Sequence, residues 1–565
     1  MTILTLNKKE LEKKIGKKID EKVEEAITMM GTPVEAVDTN EISIEVFPNR
    51  PDLLNFGNFA RALNQYLGKQ SIAKFKIYEP EKDYKVKVEK SVKQVRPHTA
   101  CAIVKGLKFD DEKIKEIVDI QEKLHLSIGR KRKKIAIGIY PLEQIKLPIK
   151  FVGMSPDEIK FIPLESPGGR ELTGRQILRS HPTGRDYADL LKDSEVYPVF
   201  FDGNNEVLSM PPIINSEKTG RITEKTKDIF IECSGFNLYY LKKCLNILLF
   251  ALSEMGGKIY SMEIDDFSDG KFVSPDLSEE KLEFKIENIN KTLGMELSEK
   301  EIKSCLGKMG VGFEKEKTKK GEKILALVPC YRTDILHWID IAEEVALGYG
   351  YNNFSPVSPQ ELSVSTVADE DKNARIKKMI SNILAGAGLL ECSSFHLVKK
   401  PDLKKIYYDI KNEDIIEVEN SKTEYTILRK DLLVNLLKIL SENSDSQYPQ
   451  KIFELGKVFE KDIKQETQIK ETENLAIALA DEKITFTELK QILDYLFKML
   501  DKEYLIDEKT QENEHVGFID GRYGKILVDK KEVGYIGEVH PRVLKNFGLK
   551  TPVVALEISL GWVLD

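Results

Sequence analysis

Apolar residues in this sequence come in short runs, such as ILLFAL from Ile247 to Leu252, far below the ~20 residues needed to cross a bilayer. Such a chain has to assemble its core from many short elements. With 565 residues, and ~150 residues per domain as a guide, about three to five domains are expected. Hydrophobic residues make up 41% and charged residues 32%, the balance of an ordinary globular protein. The net charge of −7 neither supports nor excludes a nucleic-acid partner, because local basic patches suffice for that. The six cysteines are scattered and none forms a C-x-x-C pair, which argues against a zinc site or a disulfide framework and fits a reducing compartment. The start, MTILTLNKKELEKKIG, has no apolar h-region, so no signal peptide is expected and the protein is read as cytoplasmic.

Element patterns divide the chain into an α+β multidomain protein with expected domains at 1–90, 91–270, 271–355 and 356–565. In the first, helical patterns at Lys8 to Ile15 and Asp20 to Met30 precede an alternating strand at Glu41 to Phe47, which Pro48 and Pro51 stop. A helix is expected over Asn55 to Leu67, with Gly68 at its end. Glu79 to Lys93 reads as a linker plus an edge strand. The second region is mixed α/β: strand-like ACAIVKGL, KKIAIGIY, VYPVFF and IFIECSG, then a helix from Leu238 to Glu254, with turn-rich SHPTGRDY and DGNNEV between. In the third, helices at Ile286 to Leu293 and Ser298 to Met309 precede the strands VGFEKE and KILALV, a winged-helix-like layout; Ser298 and Glu301 have capping-box spacing. After the linker SPVSPQELS, helices at Lys372 to Ala387 and Phe486 to Leu500 alternate with closely connected strands, which points to an antiparallel sheet.

No phosphate loop, G-x-S-x-G elbow or H-E-x-x-H helix is present. Two stretches nevertheless carry information. Val46-Phe-Pro-Asn-Arg-Pro-Asp-Leu-Leu54 is at the least a rigid corner between strand and helix, with Asn49 and Asp52 available to satisfy loose amides. Tyr331 to Tyr351 places Asp340, Glu343 and Glu344 on one helix face, with Asp334 nearby as the expected N-cap and Gly348 and Gly350 as the stop. A solvated acidic face is one reading. Mutual repulsion of the carboxylates, relieved by a cation or a basic partner, is the other, and an all-oxygen set suits magnesium.

The order V-x-P-N-R-P-D-L-L, leading into Gly57, Arg61 and Leu63, is similar to the beta subunit of phenylalanine–tRNA ligase, and R-x-D-(x5)-D-(x2)-E-E-(x3)-G-Y resembles the same family. The resemblance spans nearly the whole chain and implies the shorter archaeal/eukaryotic-like type. It implies that Asp334, Asp340, Glu343 and Glu344 hold Mg2+ where this chain meets a separate alpha subunit, two of each chain making the complex. The middle region, through Arg96-Pro97, Gln121 to His125, Gly129 to Lys134, His181-Pro182-x-Gly184 and Pro211 to Ser216, looks like the family's domain that hydrolyses mischarged tRNA. Editing has a chemical rationale, since a hydrophobic pocket rejects an added hydroxyl by only ~100-fold. Ser216, Glu232 and Ser234 are candidates for lining a site that senses the tyrosyl hydroxyl, with a surface strand and turn as the plain alternative. The basic run 130–134 is either a solvated face or a contact for tRNA phosphates.

The last domain resembles a degenerate class II synthetase core. Neither the f-R-x-E nor the g-x-g-x-x-R arginine segment is found in usable form, and the glycine-rich end runs on as Pro541-Arg-Val-Leu. The resemblance therefore implies no catalytic residue for aminoacylation here. The synthetic site, with ATP as substrate of the complex, is expected in the alpha subunit. A non-catalytic RNA-binding assembly scaffold is the competing reading.

Overall fold

The computed structural model describes residues 2–564 except 70, 71, 73, 74, 167, 319–320, 356–370, 412–414 and 508–515. The chain divides into two compact units, 1–358 and 359–565. The linker beginning at Ser355 lies almost wholly outside the described residues.

In the first unit, Glu41–Val46 is the middle strand of a three-stranded antiparallel sheet, between Thr2–Asn7 and Val34–Val37. Its alternation buries Ile42, Ile44 and Val46 against the helices Lys8–Ile15 and Glu21–Met29, which Asn7 and Asp20 cap. The centre of the unit is two sheets packed on each other. One has five strands, in the order Ile77–Tyr78, Lys258–Tyr260, His98–Lys105, Ile229–Gly235, Ile135–Pro141. The other has seven: Ile214–Asn215, Val207–Met210, Tyr197–Phe201, Ile149–Met154, Lys85–Val88, Met262–Asp266, Gly270–Ser274.

The unbroken apolar runs ACAIV and IFIEC follow from this layering. Ala100, Ala102, Val104, Ile229, Ile231 and Cys233 face the helix Leu238–Glu254. Cys101, Ile103 and Phe230 face the second sheet, through Val86, Val88, Phe151 and Phe200. Strand periodicity of two thus sends alternate residues into different cores. It also puts Glu232 and Ser234 on the inter-sheet side with Phe230.

Two expectations are corrected here. Lys85–Val88 is an interior strand, paired in parallel with both Ile149–Met154 and Met262–Asp266; its Lys residues face out while Val86 and Val88 are buried. The winged-helix-like part carries a third strand, Glu280–Phe284, beside the central Gly321–Val328, with Gly312–Thr318 on the other side. Its helices Ile286–Leu293 and Glu299–Lys308 stand as expected, the second with the Ser298/Glu301 capping box.

The second unit is built on a seven-stranded sheet, ordered Leu390–Glu391, Gln450–Lys461, Ile469–Ala480, Val553–Ser559, Lys531–Val539, Phe518–Val528, Leu505–Asp507. Every pairing is antiparallel except the first. One face packs on the helices Lys372–Gly386 and Phe486–Met499. The other packs on Leu433–Glu442, Pro541–Phe547 and Lys400–Ile406.

Candidate functional site: an acidic helix end and a cavity between the two sheets

The two distinctive sequence stretches meet in space. Thr333 Oγ1 donates to Asn49 O at 3.3 Å, joining the proline corner to the start of the acidic segment. On the corner, Arg50 forms a two-bonded pair with Asp52, both bonds 2.9 Å. On the segment, Arg332 is 1% exposed and donates to Asp334 at 2.8 Å through Nε and Nη2, and to Glu344 at 2.9 and 2.6 Å through Nη1 and Nη2. Burial alone would lower the Arg332 pKa, but Glu344 and Asp334 outweigh it and raise it well above its ordinary value. Burial likewise opposes ionisation of Asp334, yet Arg332 holds its carboxyl below the usual range.

Asp334 is therefore not the helix cap. The helix is Trp338–Tyr349 and its N-cap is His337, in a capping box with Asp340. Arg332, two residues before Asp334, competes for that carboxylate with a charge-assisted pair stronger than a neutral cap. Asp340 Oδ2 accepts from Leu336 N at 2.8 Å and His337 N at 2.7 Å. Gly348 does not end the helix either. It lies inside, where a Cβ would come within 2.2 Å of Cys305 O, so it lets this helix press against Glu299–Lys308.

Glu343 is the exposed member of the set. Partial burial, then the charges of Glu344, Asp334 and Asp340, raise its carboxyl pKa. Arg332 answers only part of the local negative charge, so oxygen donors and an unbalanced field are both present, as a hard cation requires. The donors are not preassembled: among the described residues the acidic segment has no three ligand atoms within 4.8 Å of one another.

The second feature is a cavity of about 420 Å³ in the first unit, lined by Glu122, His125, Ile137, Ser209, Asn215 and Glu232, among others. Glu232 is 1% exposed. Burial pushes its carboxyl up to about 8, against the opposing charge of Arg96. The Tyr140 hydroxyl lies 2.7 Å from Ser209 Oγ and 3.3 Å from Glu232 Oε1, and Glu232 Oε2 has no hydrogen-bond partner. A phenol has one proton to donate, so a neutral Glu232 suits this arrangement as a second donor. Gly138 stands opposite on the neighbouring strand; a Cβ there would meet Tyr140 Oη at 2.1 Å and Glu232 Oε1 at 2.5 Å.

Of the three candidates for the cavity, only Glu232 lines it. Ser234 is buried beside it on the strand and is held by Arg96, whose Nε donates to Ser234 Oγ at 3.2 Å and Nη2 to Ser234 O at 2.9 Å. Ser216 is buried, with its N–H bonded to Leu208 O at 2.8 Å. Tyr140, Ser209 and Asn215 were not singled out from sequence; Tyr140 and Ser209 sit in apolar or mixed strands that carry no motif of their own.

The basic run is split by the fold. Arg132 turns inward, donating to Glu122 Oε1 at 2.8 Å and Ile213 O at 3.0 Å, with its guanidinium 4.4 Å from the Tyr187 ring centre. Arg130, Lys131, Lys133 and Lys134 stay exposed. Three successive residues, Arg130, Lys131 and Arg132, adopt left-handed backbone with φ of 48°, 54° and 63°, uncommon for side chains of this size. His125 is buried, its Nε2 accepting from Ile137 N at 2.9 Å.

In the second unit, a hollow of about 540 Å³ on the sheet is lined by Asp431, Glu460, Glu532 and Glu557, with Lys430 the one lining cation among the described residues. Burial first, then Asp431, pushes Glu557 up to about 8. Arg429 is turned away into the core, donating to Glu454 at 2.6 Å and Lys457 O at 2.8 Å.

Comparison with known proteins places these features in a family. The family model for the B3/4 domain matches residues 82–244, that for the tRNA synthetase B5 domain 282–351, and that for the phenylalanyl tRNA synthetase beta chain CLM domain 359–560. The phenylalanine–tRNA ligase beta subunit of Pyrococcus abyssi is 41% identical over 515 residues, covering 91% of this chain and 89% of that protein. The one from Archaeoglobus fulgidus is 36% identical over 572 residues, covering 100% and 99%. The crystal structure of an N-terminal fragment of the Pyrococcus horikoshii phenylalanyl-tRNA synthetase beta subunit superposes with a TM-score of 0.57 at 35% identity, covering 62% of this chain and 99% of that one. Identity of this level, sustained over 89% or more of both chains, means that this chain belongs to the phenylalanine–tRNA ligase beta-subunit family.

Proposed function

We propose that this chain works with an alpha subunit, two of each, in the cytoplasm, and that the complex joins phenylalanine to its tRNA with ATP, releasing AMP and diphosphate. The four-part division at 1–90, 91–270, 271–355 and 356–565 assigns the parts. Synthesis belongs to the alpha subunit. Supporting this, among the described residues the hollow on the class II-like sheet is lined by four carboxyl groups and offers a triphosphate Lys430 alone as a counter-charge, short of the several cations that phosphate binding calls for. Pyrophosphate exchange with and without the alpha chain tests it, and appreciable exchange by this chain alone would refute it.

The middle domain hydrolyses tyrosine wrongly attached to the tRNA. The observation that carries this reading is Glu232, buried in the cavity wall with one oxygen unpartnered and its proton retained near neutral pH. A tyrosyl hydroxyl entering the cavity gives that oxygen a partner, while a phenylalanyl ring leaves it unpaired. An unpaired buried polar group costs ~1–3 kcal/mol, which favours the wrong amino acid in an editing site. Around Glu232, Tyr140 and Ser209 fix the carboxyl's position. Ser234, held by Arg96, keeps the end of the strand in place. The exposed lysines and arginine of the 130–134 loop contact tRNA phosphates beside the cavity.

Magnesium is proposed at the acidic segment, with Asp334, Asp340, Glu343 and Glu344 as its oxygen donors, drawn together on assembly with the alpha chain. A bound ion would supply positive charge to a segment whose carboxylates outnumber Arg332. Arg332 holds Asp334 and Glu344 side by side. Release of labelled tyrosine from preformed tyrosyl-tRNA, beside phenylalanine charging by the assembled complex, tests the whole reading. Wild-type deacylation by a Glu232→Ala complex would remove Glu232 from the site, and no release of tyrosine by the unsubstituted complex would leave the scaffold reading in its place.

A further inference from the structure

Away from both sites, three side chains converge where the two central sheets meet. His98 opens the strand His98–Lys105 of the five-stranded sheet, Asp266 closes Met262–Asp266 of the seven-stranded sheet, and Asp269 stands in the turn before Gly270–Ser274. His98 Nδ1 lies 3.0 Å from Asp269 Oδ2 and 3.9 Å from Asp266 Oδ2. All three atoms fall within 4.8 Å of one another.

We propose that His98, Asp266 and Asp269 bind one divalent transition-metal ion of the zinc class. The Asp266 side chain is fully buried. Its Oδ1 is saturated, accepting from Ser268 N at 2.8 Å, Ser268 Oγ at 2.7 Å and Asp269 N at 3.2 Å. Those bonds fix the carboxylate and aim its other oxygen at His98. Yet Oδ2, buried from water, has no hydrogen-bond partner, and His98 Nδ1, equally buried, has the Asp269 contact at 3.0 Å but no well-aligned hydrogen bond. A fully buried carboxylate oxygen left unpaired and facing an imidazole nitrogen is costly unless something occupies the space between them.

The donor set selects the occupant. One imidazole nitrogen and two carboxylate oxygens suit zinc or its neighbours, whereas magnesium and calcium prefer oxygen alone. Tetrahedral ligands at zinc distances stand about 3.3 Å apart, which the observed 3.0 and 3.9 Å bracket. Asp269 is 41% exposed on its side chain, leaving a solvent side for a bound water. The ion ties the hairpin turn of one sheet to the first residue of a strand in the other. It acts as a clamp on the domain and not as part of the cavity.

The test uses the full chain stripped with a chelator, then titrated with Zn2+ against a chromophoric competitor, with excess Mg2+ present to fill oxygen-only sites. Wild-type chain should take up one zinc ion in its tightest class. Asp269→Asn and His98→Gln should each weaken that class at least about tenfold and abolish the zinc-induced rise in melting temperature. Asp266→Asn, which keeps the acceptor for the turn, should behave alike. Co2+ should give a visible absorption band in the wild type that His98→Gln loses or shifts. Superimposable zinc titrations of wild type, Asp269→Asn and His98→Gln would overturn the proposal. So would variants that lose stability equally with and without zinc, which would leave a plain histidine–aspartate ion pair.

Discussion

Glu344 and Glu232 are both carboxylates buried in the first unit, and the fold treats them oppositely. Glu344 receives two bonds from Arg332, at 2.6 and 2.9 Å. Glu232 has the longer contact to Tyr140 and the Ser234 side chain beside it, and its Oε2 makes no hydrogen bond. Desolvation penalises both, but the first is compensated by a counter-charge and the second by keeping its proton. The difference separates a carboxylate whose two oxygens are both held by an arginine from one with an oxygen left open.

The largest effect should come from removing the compensation at Glu344. Arg332→Met leaves Asp334 and Glu344 uncompensated in the interior, which should destabilise the unit by about 3–5 kcal/mol, read from the urea midpoint. A loss no larger than that of an exposed Arg→Met change would erase the contrast. Next in size, Glu232→Ala should slow deacylation of tyrosyl-tRNA about ten- to a hundredfold while phenylalanine charging is kept. Equal loss of both activities would assign Glu232 to folding, as Glu344 is.

A third experiment reads the retained proton. Below the ordinary value of 4.5 the folded and unfolded chains both hold it. Between 4.5 and about 8 only the folded chain does, so this group's contribution to stability falls as pH rises through that window and levels off above it. Glu232→Gln should therefore flatten the decline of the urea midpoint between pH 5 and 8, by up to about 1.4 kcal/mol per pH unit. Parallel pH profiles for wild type and variant would mean that Glu232 retains no proton in that window. The smallest effect is expected at Glu343, exposed amid like charges. Glu343→Gln should stabilise the isolated chain by about 0.2–0.5 kcal/mol at low salt and weaken magnesium-dependent assembly with the alpha chain. An unchanged magnesium titration would return the segment to a solvated face.

How much of this was legible in the sequence depended on how far each feature's cause lies along the chain. The helix Leu238–Glu254 and the Ser298/Glu301 cap are local, and their residues announce them. The interior position of Lys85–Val88 depends on partners at 149–154 and 262–266, and its lysines made it look like an edge. The helix Asp111–Leu126, which forms one wall of the cavity, is not among the sequence expectations; its long charged face blurs the apolar stripe of Ile117, Ile120 and Leu124. Asp334 was expected to cap the helix, but that role goes to His337 because Arg332 claims the carboxylate. At the cavity, Glu232 stood out as a charge within an apolar strand. Ser209, which lines the cavity, and Tyr140, which bonds Ser209 and Glu232 from behind, did not, because what brings them there is a cross-strand neighbour and not their own surroundings in sequence.

Gly138 carries a consequence for how this pocket can diversify. Any side chain there would occupy the space now taken by the Tyr140 hydroxyl and the Glu232 carboxyl. That wall is closed to gradual evolutionary tuning: its first step, even to alanine, displaces the recognition pair. Variation in what the pocket accepts is open instead at lining side chains outside that pair and its Ser209 partner, such as Ile213 and Asn215, which can be exchanged one at a time.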